Sequence, residues 1–300
     1  MSVRNAPCHC GSGRRFKECH GRLAADAPSR APGTVDFAVA GAQRGGTTAL
    51  DSYLRQHPGI SMGRTRKELH FFDHEEHFTG ADVDYAGYHA HFDTRQPGQL
   101  RGDATPSYMY WWPAAERLAR YNPALKIVVV LRNPITRAHS HWNKERQRGR
   151  EALSFMAALE AEAARARAAL PLQNRRTSYA ERGFYVGQLE RLWRHFAVAQ
   201  TLILRTEALQ DAPAATLARV AGFLGVAPFG AVAHRSVNAR SYDQSMEREA
   251  WAFLAAAFTP EIRALERLLG WDCAAWLQPP AFADATAAPS SATAKVDGET

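Results

Sequence analysis

Residues 35–50 read VDFAVAGAQRGGTTAL, and the rest of the chain is organised around that stretch. Val35 to Ala40 is an apolar run with few polar side chains. It breaks at Gly41 into a turn that also holds Gly45 and Gly46, and Thr47 and Thr48 follow directly. Leu50, Tyr53 and Leu54 then recur at helical spacing as far as His57 and Pro58. This is the pattern of a buried strand, a glycine-rich turn and a helix N-terminus. Glycines let the backbone approach a ligand and take positive φ. The first turn of a helix presents unbonded N–H groups and a partial positive charge. A phosphate is the natural guest there.

Against the Walker A pattern, G-x4-G-K-[ST], Gly41, Gly46 and the hydroxyl of Thr48 fit. Thr47 stands in the lysine slot, and the cation is instead Arg44, inside the loop. No run read as a strand closes on the aspartate that usually holds Mg²⁺. A P-loop nucleotide kinase-like phosphotransferase is thereby weakened and kept as an alternative, beside a glycine turn used only for packing.

Further strands and helices alternate along the chain. Lys126 to Leu131 (KIVVVL) and Thr201 to Thr206 (TLILRT) read as buried strands, the first β-branched as in a parallel sheet covered on both faces. Pro113 to Tyr121, Ile135 to Lys144, Glu151 to Leu170, Gly183 to Phe196, Ala214 to Leu224, Met246 to Phe258 and Pro260 to Leu269 read as helices. Met62 to Phe78 is expected as a loop or short helix, Tyr85 to Phe92 as a short helix, and Gly102 to Trp112 as a loop walling a pocket. Such alternation implies an α/β fold, a P-loop-like three-layer arrangement with a central parallel sheet, its ligand outside the strand carboxyl ends.

The chain of 300 residues is 46% hydrophobic and 22% charged, ordinary for a globular protein. Its net charge of +7 suits an acidic ligand or a merely arginine-rich composition. No aromatic-plus-basic RNA motif or DNA-reading helix signature stands out, so no nucleic acid partner is expected. No apolar run is long enough to span a membrane. The N-terminal MSVRNAPCHC lacks a signal-peptide segment, so a reducing cytoplasm is the expected compartment.

Near that end, Cys8, Cys10, Cys19 and His20 offer three thiolates and an imidazole, the donor set of a closed structural Zn²⁺ site. His9 competes with His20, and unstructured reduced thiols are the plainer alternative. So short a segment lacks apolar surface of its own, and metal would supply its folding energy. The run APCHCGSGRRFKECHG resembles the SEC-C motif, the zinc-binding tail of the bacterial SecA translocase that is appended to many bacterial proteins. That resemblance implies a docking or stabilising module and a protein partner. The expected organisation is a SEC-C-like zinc motif over 1–22, an Ala/Pro-rich linker over 23–34, the main domain over 35–278 and a disordered tail over 279–300.

The main domain resembles the sulfotransferase superfamily. GAQRGGTTAL looks like its 5′-phosphosulfate loop, KELHFFD (Lys67 to Asp73) like the segment that follows in heparan-sulfate type enzymes, and VVVLRNPITRAHSHW (Val128 to Trp142) like the strand, loop and helix holding a 3′-phosphate. GFYVGQLERLWRHF and TLILRTEAL resemble the next helix and strand. The resemblance implies 3′-phosphoadenylyl sulfate (PAPS) as donor and a carbohydrate or glycolipid hydroxyl or amine as acceptor. It places Gly45, Gly46, Thr47 and Thr48 on the phosphosulfate and Arg132 and Ser140 on the 3′-phosphate. Asn238, with Arg240, is a candidate for the late cofactor loop HRSVNARSY. Glu68 would be the base, if burial raises its pKa; His70 is the rival, and Lys67 would orient the sulfuryl group or Glu68. Arg44 stands where many relatives carry lysine, and arginine can grip a phosphosulfate bidentately. His70, His74 and His77 show no matching acidic scaffold in their spacing, so no metal is expected there. Trp111 and Trp112 suit either a core or a sugar platform. Arg64, Arg66, Arg146, Arg148 and Arg150 suit either a solvated surface or an anionic acceptor. A non-catalytic nucleotide-binding adaptor recruited through the zinc motif is a further alternative.

Overall fold

The computed structural model describes residues 33–80, 82–92, 98–233 and 245–282. The quartet Cys8, Cys10, Cys19 and His20, most of the linker, Asn238 and the tail from 283 lie outside the described residues.

Five parallel strands form one sheet in the order β2-β3-β1-β4-β5. They are β1 (Phe37–Gly41), β2 (Ile60–Met62), β3 (Leu100–Asp103), β4 (Lys126–Leu131) and β5 (Thr201–Arg205). β1 pairs with β3 through Phe37 and Gly102, and with β4 through Ala38 and Ile127. In both central strands alternate residues go to opposite faces, as the pleat requires. Ala38, Ala40, Ile127, Val129 and Leu131 enter one apolar cluster, while Phe37, Val39, Val128 and Val130 enter the other. The second cluster is closed by α1 (Thr47–Leu54) and α8 (Pro213–Leu224), through Leu50, Leu54, Leu217 and Val220. The first is closed by α2 (Ala86–His89), α3 (Ala114–Tyr121), α4 (Pro134–Gln147), α5 (Phe155–Ala168), α6 (Tyr185–His195) and α9 (Arg248–Leu269), while α7 (Thr206–Asp211) adds Leu209 to the second. These are the three layers expected from the alternating pattern.

Three strands match the expected runs, and β2 and β3 are additional. The additional strands are three and four residues long, and β3 carries Arg101, Gly102 and Asp103. Neither has room for an apolar period, so pairing rather than composition makes them strands. The two expected terminal helices are one, with Pro260 inside it. Proline removes a single N–H donor, and Leu254, Phe258, Ile262 and Leu265 bury along one stripe on both sides of it.

Trp142 on α4 is almost fully buried, its ring 5.3 Å from Phe155 and its Nε1 donating to the Leu153 carbonyl at 3.1 Å. Trp142→Ala should cost about 3–5 kcal/mol. Urea denaturation checks this as a lower midpoint at unchanged slope.

Candidate functional site

The glycine loop is fixed by close backbone approach. A Cβ on Gly45 would lie 2.4 Å from the Val130 carbonyl oxygen, so no side chain fits there. Gly46 takes φ 101°, which glycine tolerates. Arg44 also sits in the left-handed region, at φ 66°, which costs on the order of 1–2 kcal/mol for an L-residue. The turn holds it there, and its Nε donates to Ser140 Oγ at 3.0 Å. Directly after β5, the Thr206 hydroxyl donates to the Gly45 carbonyl and lies 3.0 Å from the Leu131 carbonyl.

A cavity of about 560 Å³ opens over the carboxyl ends of the strands. Of the sequence-predicted residues, Arg44, Gly46, Thr47, Thr48, Glu68, Arg132 and Ser140 line it; Gly45, Lys67 and His70 do not. Asn133 caps α4 by accepting the Ile135 amide at 2.9 Å, and its Nδ2 holds the Trp276 carbonyl at 2.8 Å. Arg132 Nε donates to Thr136 Oγ1 at 3.1 Å, and its carbonyl accepts the Tyr185 hydroxyl at 2.9 Å. Thr47 and Thr48 open α1, where first-turn amides have no helical partner, and Asn133 and Thr136 begin α4 on the same cavity. Two helix N-termini and two arginines make a site for an extended anion with charge at both ends.

Beside the loop runs a chain of charges. Lys67 Nζ donates to Thr47 Oγ1 at 3.3 Å and to Glu68 Oε1 at 3.1 Å. His70 Nε2 lies 3.3 Å from Glu68 Oε2, and its Nδ1 lies 2.9 Å from Asp73 Oδ2. His70 has φ 56°, held in place where Thr105 Oγ1 accepts the Leu69 and His70 amides. Asp73 is buried and also accepts from Ser107 Oγ at 2.5 Å. Arg175 donates to the Asp73 backbone carbonyl and stacks on the Trp111 ring at 3.7 Å.

Glu68 behaves opposite to expectation. Burial would raise its carboxyl, but the hydrogen bond with His70 and the charges of Lys67 and His70 outweigh burial and hold it at about 2. Burial would lower His70, yet its bonds to Asp73 and Glu68 lift it to about 9. Asp73 is lowered, since the bonds from His70 and Ser107 override the effect of burial. At neutral pH the trio is carboxylate, imidazolium, carboxylate. His70 therefore lies between two acids whose charges favour its imidazolium form.

Asp73, Ser107, Arg175 and Thr206 escaped the sequence reading, although Asp73 closes the quoted KELHFFD. The others lie 34 to 161 residues from their partners, with no local signal. A strand does end in aspartate: Asp103 closes β3. Its oxygens accept from Thr105 at 2.7 Å, Tyr108 at 2.7 Å and Tyr88 at 3.1 Å, and it does not line the cavity. Burial without a cation raises it to about 6, so it is spent on hydroxyls. The histidines do meet acids: Asp73 lies beside His70, and Glu76 Oε1 lies 3.3 Å from His74 Nδ1. His70 is taken up by Glu68 and Asp73. Trp111 is core and Trp112 is 48% exposed. Of the five candidate arginines only Arg148 lines the cavity, and it pairs with Glu145 at 2.9 Å.

Residues 34–251 match the Sulfotransferase domain family, and residues 4–22 match the SEC-C motif. Mouse heparan sulfate glucosamine 3-O-sulfotransferase 3B1 is 33% identical over 188 residues, covering 63% of this chain and 45% of that protein. Human bifunctional heparan sulfate N-deacetylase/N-sulfotransferase 2 is 26% identical over 199 residues, covering 64% and 22%. The chain thus spans about half the length, or less, of these curated relatives. The crystal structure of a sulfotransferase from Alicyclobacillus acidocaldarius superposes with TM-score 0.69 at 29% identity, covering 84% of this chain and all of that one. The chain belongs to the sulfotransferase domain family and carries a SEC-C motif. No helix among the described residues is long and apolar enough to cross a membrane.

The raised His70 makes a test of the ion chain. A group whose folded pKa is raised stabilises fully below its ordinary value, here 6.5, and stops doing so as pH climbs through about 9. Thermal unfolding of wild type and His70→Gln should differ most at or below pH 6.5, and the gap should close by pH 9.5. A gap constant across that range contradicts the assignment.

Proposed function

From membership of the sulfotransferase family, we propose that the chain transfers a sulfuryl group from PAPS to a hydroxyl or amine of a carbohydrate or glycolipid acceptor. One observation carries the reading: the Arg44 loop, the 3′-phosphate candidates Arg132 and Ser140, and the carboxylate Glu68 share one cavity. The donor set suits an anion with charge at both ends. Thr47 and Thr48 offer amides and hydroxyls to the phosphosulfate, and Arg44 neutralises charge as the phosphate leaves. Arg132 and Ser140 hold the other end. Asn238 is kept as a contact of the late loop. The acceptor oxygen or nitrogen attacks sulfur in line, the bond from sulfur to the phosphate oxygen breaks, and the acceptor proton passes to Glu68. 3′-Phosphoadenosine 5′-phosphate (PAP) leaves.

His70 and Lys67 orient the Glu68 carboxylate toward the acceptor. The carbohydrate class is supported by the named acceptors of the relatives and by basic residues such as Arg148 on the wall. A kinase reading finds no support in Asp103, whose oxygens are committed to three hydroxyls. We also propose that Cys8, Cys10, Cys19 and His20 hold one structural Zn²⁺ as a docking module, in a reducing cytoplasm where those thiols persist.

Isothermal titration with PAP should show micromolar binding in both wild type and Glu68→Gln. Turnover of labelled PAPS with N-desulfated heparan oligosaccharides should be lost in Glu68→Gln alone. Glu68→Gln retaining most activity contradicts the assigned base. Metal analysis should find about one zinc per chain, lost in Cys8→Ser/Cys10→Ser; a metal-free and equally stable wild type contradicts the zinc site.

A further inference from the structure

Glu68 is proposed as the base, yet it is held at about 2, too acidic to take a proton readily at neutral pH. Something has to release it, and the geometry points to Lys67. Its ammonium reaches both halves of the site, 3.3 Å from Thr47 Oγ1 on the donor side and 3.1 Å from Glu68 Oε1 on the acceptor side. Lys67 is 18% exposed and Glu68, which lines the cavity, is 39% exposed, so neither side chain is fully enclosed. A lysine head is a compact charge on a flexible four-carbon stem and can change partner without backbone movement.

Other charges do not serve this purpose. His70 is fixed between Glu68 and Asp73, so its hold on Glu68 is independent of the donor. Arg44 is engaged with Ser140, and Arg132 with Thr136. Lys144 lines the same cavity from α4. Among these, Lys67 is the one bonded to both the donor loop and the base.

We propose that Lys67 couples donor occupancy to the base: it stays on Glu68 until an anion fills the Thr47 end of the cavity, then turns to that anion and leaves Glu68, still held by His70, with a higher affinity for the acceptor's proton. This rests on the donor reading given above. A bound phosphosulfate carries more charge than one half-exposed carboxylate, and it sits where first-turn amides already favour an anion. The consequence is order. The acceptor hydroxyl is activated after the donor is in place, and an acceptor that binds first meets a disarmed base.

The test uses the full chain and PAP as probe. The ¹³C carboxyl resonance of Glu68, identified by its loss in Glu68→Gln, is titrated against pH with and without saturating PAP. In wild type its pKa should rise by roughly one unit or more on PAP binding, a tenfold gain in proton affinity. In Lys67→Met it should start higher and move little with PAP; Lys67→Arg, which keeps the charge, should restore the rise. PAP binding by calorimetry with no change in the wild-type Glu68 titration overturns the coupling and leaves the donor reading standing. An equal rise in Lys67→Met assigns the effect to another group and also overturns it. Absence of PAP binding removes the donor reading, and the coupling falls with it.

Discussion

Where β1 leaves the sheet, the Ala42 amide still bonds to the Val130 carbonyl at 2.8 Å, and Gly45 then returns to within van der Waals reach of the same oxygen. A turn pinned twice to one carbonyl of the neighbouring strand has little freedom. The loop therefore leaves β1 in a single direction, and α1 starts over the sheet with its first-turn amides on the cavity. Arg44 is carried into the left-handed region by the same constraint. Its backbone cost is of the order of a lost hydrogen bond, and what it secures is a guanidinium directed to Ser140 on α4. The donor loop and the α4 segment are thus registered to each other before any ligand arrives.

The second level of organisation is electrostatic. Glu68, His70 and Asp73 alternate in sign, with Lys67 at one end and Arg175 at the other. Buried Asp73 supports the array: it is inaccessible, receives the Ser107 hydroxyl, and keeps His70 charged and oriented. An unpaired carboxylate at that depth would be costly, and here the desolvation is offset by two donors to Oδ2, from His70 and Ser107, with Arg175 Nη1 at 3.7 Å. Stabilising the array and equipping a base pull in opposite directions. Cations that hold Glu68 in place also depress its proton affinity, and the proposed role of Lys67 starts from that conflict.

Family membership and chemistry rest on different footings. The match over 34–251 and the superposition with the Alicyclobacillus protein establish the family and the layered sheet. The curated relatives are longer proteins with named heparan sulfate substrates, and this chain corresponds to 45% or less of each of the two compared. The cavity lining includes Lys144 and Glu145 on the last turn of α4 and Arg148 directly after it.

Local sequence determined the elements whose signals are local. KIVVVL is a strand because only a doubly covered sheet buries five consecutive apolar side chains. The glycine loop, α1 and α4 were legible for the same reason, since adjacent glycines, hydroxyls and an apolar period are local signals. Two things required the tertiary structure. One was the short strands β2 and β3, which exist only through their pairing in the sheet. The other was protonation. The sequence supplies Glu68, whose role as a base would need burial to raise its carboxyl pKa. The fold instead turns His70 and Lys67 onto it and brings Asp73, Ser107 and Arg175 behind, from as far as 102 residues away. Charge–charge interactions vary with distance in space, and only folding sets those distances.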